Sequence, residues 1–547
     1  MVNRRTMLMF VSAVVGLVLG GQHAAAECPG YRWAYTAGAE SDDVAHAVAA
    51  DAAGDIYLAG RFVGQVNFDP AGSDVHSSNG QGDVFVTKLS ADGSHQWTRT
   101  FGGPDDDLAE DLAVDSTGAV YAVGLFRGAN VDFDPTEGTD LHSSNGSADV
   151  FLIRLEADGS YGWAVTLGGA GFEHGRAVAI DPDDQPVLAG YFVSSSLDFD
   201  PTSGTDLHYC QGLADVFITK LSAAGQYLWT RTIGGPDVDI AFDLVIDSLS
   251  EIIVTGSFQS SEVDFDPGPA VDLHQSNGSR DVFALKLAGD GSYRWAATFG
   301  GPLFDHGYAV AVDQSRRVYL AGTFQGSNVD FDPGPAEDLH SSLGSDDVFV
   351  AAFEPDGTYR SAATFGGFLS DLARDVITDS RGGLLLIGEF DGTAVDFDPT
   401  VGLDPHSSSG LSDIFVTRLG LDFSYRWTVT IGADQPDSGF ELAARSDGDI
   451  VLAGYFAGQQ VDLDPTDGAD LRSSAGLGDI CLVCLAGPLQ GDFDCDRDVD
   501  LADFQQFAGA MRGSSVPPAR PDADLDGDGD CDLQDFQIFL ANWGGPG

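Results

Sequence analysis

Apolar and polar residues alternate with a period of two along most of this chain, in runs too short for helices. Ala119-Val-Tyr-Ala-Val-Gly-Leu-Phe126, Asp149-Val-Phe-Leu-Ile-Arg-Leu155, Tyr161-Gly-Trp-Ala-Val-Thr-Leu167 and Ala177-Val-Ala-Ile-Asp181 are rich in β-branched and aromatic residues. Turn signals such as Ser116-Thr-Gly118 and Ala157-Asp-Gly159 separate them. Four strands with no room for a crossover helix predict an antiparallel meander.

The meander recurs. Asp132-Phe-Asp-Pro135 returns as Asp198-Phe-Asp-Pro201, Asp264-Phe-Asp-Pro267, Asp330-Phe-Asp-Pro333 and Asp396-Phe-Asp-Pro399, with worn copies at Asn67–Pro70 and Asp462–Pro465. The step is 65 residues once and 66 five times, giving seven copies. A strand bearing Trp97, Trp163, Trp229, Trp295 or Trp427 follows each Asp-Val-Phe-type strand, with Ser361 in the remaining copy. The repeat region opens on a lone Trp-type strand, Tyr31–Thr36, and ends on a lone Asp-Val-Phe-type strand, Asp479–Leu485. Each orphan is the partner the other lacks. Pairing them closes a ring and removes the free sheet edge. The expected fold is all-β: a seven-bladed β-propeller of four-stranded antiparallel blades, closed by pairing of the N- and C-terminal strands.

The string DVFVTKLSADG, followed by W, TFGGP and AVD..G.VY.AG.F, resembles the SBBP family of secreted β-propeller repeats over about 31–487. That resemblance implies the architecture and no particular chemistry.

Two loops per blade should share one face of the disc. The first carries Asp43, Asp107, Glu173, Asp239, Asp305, Asp371 and Asp437 as it enters the innermost strand. These acids can accept backbone N–H bonds at the loop, or form a ring near the channel that takes a cation. The second loop offers Asp132, Asp134, Asp140 and His142 in the second copy. Its histidine column runs His76, His142, His208, His274, His340, His406 and then Arg472. Arginine cannot bind a metal, but it can donate to a carboxylate as histidine does, so a donor tying each loop to its own aspartates explains all seven. Calcium held by the loop aspartates alone is the other reading. The intervening Phe133-type residue is expected to anchor the loop. No nucleophile elbow, H-E-x-x-H or phosphate loop occurs, so no catalytic residues are assigned. The departures from the repeat, His174, His306, Ser361 and Tyr209, read as isolated.

Met1–Ala26 has the form of a secretory signal peptide: Arg4 and Arg5, an apolar run Met7–Gly21, and Ala24-Ala-Ala26 as cleavage site. The mature chain is expected to be secreted, extracellular or at the cell surface, with no membrane span. Asp plus Glu number 85 against 26 Lys plus Arg, a net charge of −59, which disfavours nucleic acid and anionic membranes as partners. With 43% hydrophobic residues the core is ordinary and the surface carries the acid. Cys481 and Cys484, three apart on a strand, should face opposite ways and not share a metal. Cys28 beside Cys484 suggests a disulfide across the seam, and Cys210 reads as an unpaired thiol.

After Gly487 the text changes. Asp492, Asp494, Asp496, Asp498, Asp500 and Asp503, then Asp524, Asp526, Asp528, Asp530, Asp532 and Asp535, stand at positions 1, 3, 5, 7, 9 and 12 of two EF-hand-like loops. Carboxylates at that spacing, with a backbone carbonyl at position 7, wrap one Ca2+ each. Each loop should lead into an amphipathic helix, Leu501–Met511 and Leu533–Trp543, making a small paired calcium-loop domain. Arg497 stands where the loop favours Gly, at about 1 kcal/mol if a left-handed turn is needed, so the first site should be the weaker. Cys495 and Cys531, at non-equivalent positions of the two copies, are candidates for a bond between the loops. A duplicated loop-plus-helix at the end of a secreted chain resembles dockerin type I, which implies a cohesin-like extracellular partner and a link to polysaccharide breakdown. Leu501-Ala502 and Leu533-Gln534 depart from the hydroxyl residues of many dockerins.

The expected organisation is signal peptide 1–26, propeller 27–487 and calcium module 488–547. The expected function is a non-enzymatic binding or scaffold platform docked through its C-terminal module. The alternative is a polysaccharide-active hydrolase or lyase, or a carbohydrate-binding protein, that uses the acidic propeller face.

Overall fold

Each 66-residue unit folds as a four-stranded meander, as the computed structural model shows for blade 1: Val44–Ala50, Ile56–Phe62, Asp83–Leu89 and His95–Phe101, hydrogen-bonded in that order. Residues 29–379, 381–466, 468–487, 525, 531 and 533–542 are described. Tyr31–Leu485 is one compact unit. Blades 2 to 6 repeat the meander, and blade 7 is completed by the N-terminus, with Ser438–Ala444, Ile450–Phe456, Asp479–Ala486 and Gly30–Ala37 side by side. The two lone strands pair as expected.

The innermost strands, one per blade, touch one another in an unbroken cycle from Val44–Ala50 round to Ser438–Ala444 and back. They wall a central channel. The second and third strands of each blade are buried on both faces, because a neighbouring blade covers each side; their sequences are accordingly continuous apolar runs. Every interblade core is built this way. Tyr57, Val84 and Val86 of blade 1 pack with Val120, Phe126 and Phe151 of blade 2.

The tryptophans staple neighbouring blades. Trp97 lies on Gly159 of the next blade, where φ is +77° and an added Cβ would sit 2.8 Å from the indole; only glycine suits both demands. Its indole N–H donates to the Ala157 carbonyl at 3.3 Å. Where Ser361 replaces the tryptophan, the facing glycine becomes Phe423, buried at φ +63° and edge-on to Tyr319. The volume moves from one blade to the other.

Between its second and third strands each blade carries a short two-stranded hairpin, such as Val131–Asp132 with Leu141–His142. The loop is anchored by Phe68, Phe133, Phe199, Phe265, Phe331, Phe397 or Leu463, all buried. Each such side chain contributes about 1.5–3 kcal/mol by leaving water.

Outside the propeller, Leu533–Asn542 is helical, as expected over these residues, and Trp543 lies outside the described residues. Asp535 is buried, and its Oδ1 accepts the Leu525 backbone N–H at 2.6 Å. The segment 1–26, the first calcium loop with its helix Leu501–Met511, and Asp524, Asp526, Asp528, Asp530 and Asp532 lie outside the described residues. No described helix is long and apolar enough to cross a membrane.

Candidate functional site at the channel mouth

Every innermost strand breaks its pairing register once, at equivalent places between Ala45 and Ala47, Ala109 and Asp111, and so on to Gly439 and Glu441. A bulge inserts one unpaired residue and re-aims it. The seven inserted residues are His46, Glu110, Arg176, Phe242, Tyr308, Arg374 and Phe440. No repeat position that the fold brings to the channel varies more.

The bulges also free seven backbone N–H groups, and four carboxylates take them up. Asp111 accepts Leu112 N–H and, from the next blade, Val178 N–H, both at 2.6 Å. Asp243 does the same for Leu244 and Val310, and Asp375 for Val376 and Leu442. Each clamps two blades. Seven is odd, so one N–H remains, that of Val48, and Glu441 accepts it at 2.7 Å across the seam. Burial in the channel wall pushes all four carboxyls above the usual range, Asp111 to about 7, and repulsion from neighbouring acids adds to it at Asp111, Asp243 and Glu441. Asp111, Asp243 and Asp375 stand at twice the 66-residue step, a double period in the sequence that the single repeat conceals.

The predicted acids of the first loop prove to be clamps inside the blade junctions. Each accepts two backbone N–H bonds: Asp107 from Gly103 and Arg127, Glu173 from Gly169 and Ser194, Asp305 from Gly301 and Gln325, with Asp43, Asp239, Asp371 and Asp437 alike. All seven are buried and none opens on the channel. Beside each lies a second buried acid from the start of a third strand: Asp83, Asp149, Asp215, Asp281, Asp347, Asp413 or Asp479.

The second loop behaves as the donor reading requires in five blades; in the other two, His142 and His274 come within 3.3 Å of their aspartates without an aligned bond. His76, His142, His208, His274, His340 and His406 lie 2.8–3.3 Å from Asp74, Asp140, Asp206, Asp272, Asp338 and Asp404, and Arg472 donates to Asp470 at 2.7 Å. A second donor to the same aspartate, unread in the sequence, comes from the outer strand: Tyr161, Tyr227, Tyr293, Tyr359, Tyr425 and Tyr31, with His95 in blade 1. Asp132 accepts the N–H groups of Asp134 and Asp140. Among the described residues no group of three His, Cys, Asp or Glu is arranged to hold a metal.

Cys481 and Cys484 enter different cores, as expected. The suggested seam disulfide is corrected: Cys484 is a buried free thiol with Arg445 Nη1 at 3.8 Å, and Cys28 lies outside the described residues, as does Cys495.

The reading of His174 and His306 as isolated is also corrected. The fold gathers them at the mouth with the bulge residues. Glu110 bridges His174 Nε2 at 2.8 Å and Arg176 Nη1 at 2.9 Å. Arg176 holds the Glu110 carboxyl well below the usual range against its burial, while burial pushes the His174 imidazole down. Glu110 is thus a fixed anion and His174 a neutral imidazole at pH 7. Arg176 lies over Phe242 at 5.4 Å and Arg374 over Tyr308 at 5.5 Å. Phe304, His306 and Tyr308 form a stacked ladder at 6.4 and 5.4 Å. Phe304 is 45% exposed, His306 Nδ1 has no partner, and Arg280, bridged to Phe304 through the backbone, has no ion-pair partner among the described residues.

The fold is a seven-bladed β-propeller with a WD-repeat relative. Over 482 residues the chain is 20% identical to an uncharacterized WD repeat-containing protein of Acanthamoeba polyphaga mimivirus, covering 75% of this chain and 35% of that one. Over 174 residues it is 24% identical to the regulatory protein FlaEY of Caulobacter vibrioides, covering 31% of this chain and 17% of that one. The chain therefore spans about a third of the first relative's length and less of the second's. No family model matches. Among solved structures, the Neurospora crassa Pan2 WD40 domain covers 80% of this chain and 88% of its own at 9% identity and a TM-score of 0.37. Cobalt-substituted Synechocystis ACO covers 84% and 96% at 13% identity and a TM-score of 0.34.

Proposed function

We propose that the propeller is a non-catalytic binding platform that takes its ligand at the channel mouth. One observation carries this reading: in units that otherwise repeat closely, the bulge slots facing the channel hold His, Glu, Arg, Phe, Tyr, Arg and Phe in turn. A scaffold that only had to close would have no use for Arg, Phe, Tyr and Glu in equivalent slots. Glu110 is fixed as an anion by Arg176, which removes it as a proton donor and leaves it a recognition group.

The exposed Phe304 face, the His306 ring and the unpaired Arg280 suit a sugar ring bearing one carboxylate: the ring stacks on the aromatic and the carboxylate meets the guanidinium. A long polyanion is disfavoured by the −59 charge around this one cationic spot. Binding to a glycan array with and without EDTA tests the proposal. Arg280→Met should lower affinity for a uronic-acid-terminated glycan about tenfold, the loss of one charge-assisted bond. Hydrolysis or elimination of any polysaccharide in a panel would favour the enzyme alternative instead.

The same reading makes 488–547 a Ca2+-binding module, with Asp492, Asp494, Asp496, Asp498, Asp500 and Asp503 and then Asp524, Asp526, Asp528, Asp530, Asp532 and Asp535 as ligands. It would dock an exported chain, as a dockerin-like segment does, to a cohesin-like extracellular protein. The support is the duplicated acid spacing and the helix Leu533–Asn542 that follows the second loop. Calorimetry of the full chain should show Ca2+ uptake that Asp524→Ala together with Asp526→Ala reduces by one site.

A further inference from the structure

At each blade junction two carboxylates lie together out of water, and at six of the seven one oxygen of the outer carboxylate has no donor. We propose that each pair with such an oxygen retains one proton at neutral pH, so that the blade junctions loosen as these protons are lost.

The junction of blades 4 and 5 shows the geometry. Asp281 and Asp305 are each 1% exposed. Asp305 accepts Gly301 N–H at 2.7 Å on Oδ2 and Gln325 N–H at 3.0 Å on Oδ1, so both its oxygens are engaged. Asp281 accepts Asn277 N–H at 2.9 Å on Oδ2, and its Oδ1 has no partner. Gly300 lies between them: a Cβ there would stand 2.7 Å from Asp281 Cγ and 2.9 Å from Asp305 Oδ2. Two acceptors thus share one dry slot with no donor. A buried oxygen without a hydrogen bond costs about 1–3 kcal/mol, and a second charge beside it adds repulsion. One proton on Asp281 Oδ1 removes both penalties, since the acceptor becomes a donor and one charge disappears.

Six of the seven outer acids carry the same orphan oxygen. In the seventh, Cys210 Sγ lies 3.5 Å from both Asp215 Oδ1 and the Gly212 carbonyl, which puts a thiol hydrogen within reach of the slot, where the equivalent Ser144 is turned away to Gly128. Calcium would need six to eight oxygens, and among the described residues no group of three His, Cys, Asp or Glu is arranged to hold a metal.

The charged groups facing the pairs are mostly acidic. Asp106 faces Asp107, Asp346 faces Asp305 and Asp347, Asp391 faces Asp371 and Asp413, and Asp434 faces Asp437; Arg61 beside Asp43 acts the other way, and Arg280 precedes Asp281 in the chain. Burial, with the partner carboxylate adding to it, pushes Asp281 up to about 7, and burial pushes Asp305 up to about 6. The unfolded carboxyls titrate near 3.8. Between about pH 4 and pH 7 the folded chain therefore retains protons the unfolded chain has released, and stability falls as pH rises through that window.

The test is thermal unfolding of the full chain from pH 5 to 8.5, in EDTA and in Ca2+, with infrared detection of protonated carboxyls at pH 7. Asp281→Asn, Asp347→Asn and Asp413→Asn together place permanent amide donors in three slots. The expected results are a protonated-carboxyl band that weakens in the variant, a propeller Tm that falls toward pH 8.5 in the wild type, and a variant Tm at pH 8.5 higher by roughly 3 °C but unchanged at pH 5. Should the triple variant not fold, Asp281→Asn alone must still weaken the band. A wild-type Tm flat with pH and no band at pH 7 overturns the proposal. So does a missing band together with a Ca2+-dependent Tm rise that the variant abolishes, which would put a metal in the slot.

Discussion

The hairpin rim and the channel ring are built from the same seven units, yet they use repetition in opposite ways. On the rim every blade solves one problem alone: a buried aromatic or leucine, a histidine or arginine, and a second donor from its own outer strand fix its own aspartate. At the channel only blades 2, 4 and 6 satisfy their own bulge N–H groups, and the other four depend on a neighbour. Bulge N–H groups are satisfied in pairs by alternate blades, and the odd blade is rescued by Glu441 across the seam. Local chemistry can be copied without limit, whereas chemistry shared between neighbours feels the number of copies.

The sharpest contrast is one of packing. Phe133→Ala on the rim empties a fully enclosed site and should cost about 3–5 kcal/mol. Phe242→Ala on the channel wall, partly exposed already, should cost under about 1 kcal/mol. Urea unfolding of the two variants measures the difference, and equal costs would erase the distinction between rim and ring.

The parity argument comes next in size. Asp111→Ala leaves two bulge N–H groups unpaired and should cost about 2–4 kcal/mol, whereas Glu441→Ala leaves one and should cost about half as much. Comparable values would mean that water in the channel replaces the carboxylates.

Between blades 5 and 6 the exchanged volume can be exchanged back. Phe423→Gly opens a cavity and Ser361→Trp overfills the site, each at about 1–3 kcal/mol. The double variant rebuilds the Trp-on-Gly contact of the other blades and removes the strain of a phenylalanine at φ +63°, so it should recover most of the loss. A double-mutant cycle gives the coupling, and strict additivity would deny that the two positions share one space.

The smallest effect is electrostatic and differs in sign between the two regions. Burial raises the Asp404 carboxyl, but bonds from His406 and Tyr425 outweigh it and hold the group below the usual range. Asp206 and Asp470 are held down in the same way by their histidine, arginine and tyrosine donors. A depressed group contributes stability above about pH 4, and that contribution is lost as pH falls through its folded value. The buried junction acids act in the other direction between pH 4 and 7. Tm should therefore rise from pH 3 to about 5 and fall beyond it, and Tyr425→Phe should flatten the acid limb alone.

Much of the rim was legible in the chain. The seven copies, the pairing of the first and last strands, the histidine column with Arg472 as its seventh member, and the anchoring Phe133 all follow from residues within one unit or at its two ends. Strand periodicity and loop chemistry act over a few residues, so sequence alone determines them. The mouth was not legible. His174 and His306 look solitary in their own repeats, and Glu110, Arg176 and Tyr308 gain meaning only when bulges turn them toward one axis. The double period of Asp111, Asp243 and Asp375 was the available signal, hidden beneath the stronger single one. Tertiary structure decided the rest, because partners such as Val48 and Glu441 lie at opposite ends of the repeat region and meet only once an odd-numbered ring has closed.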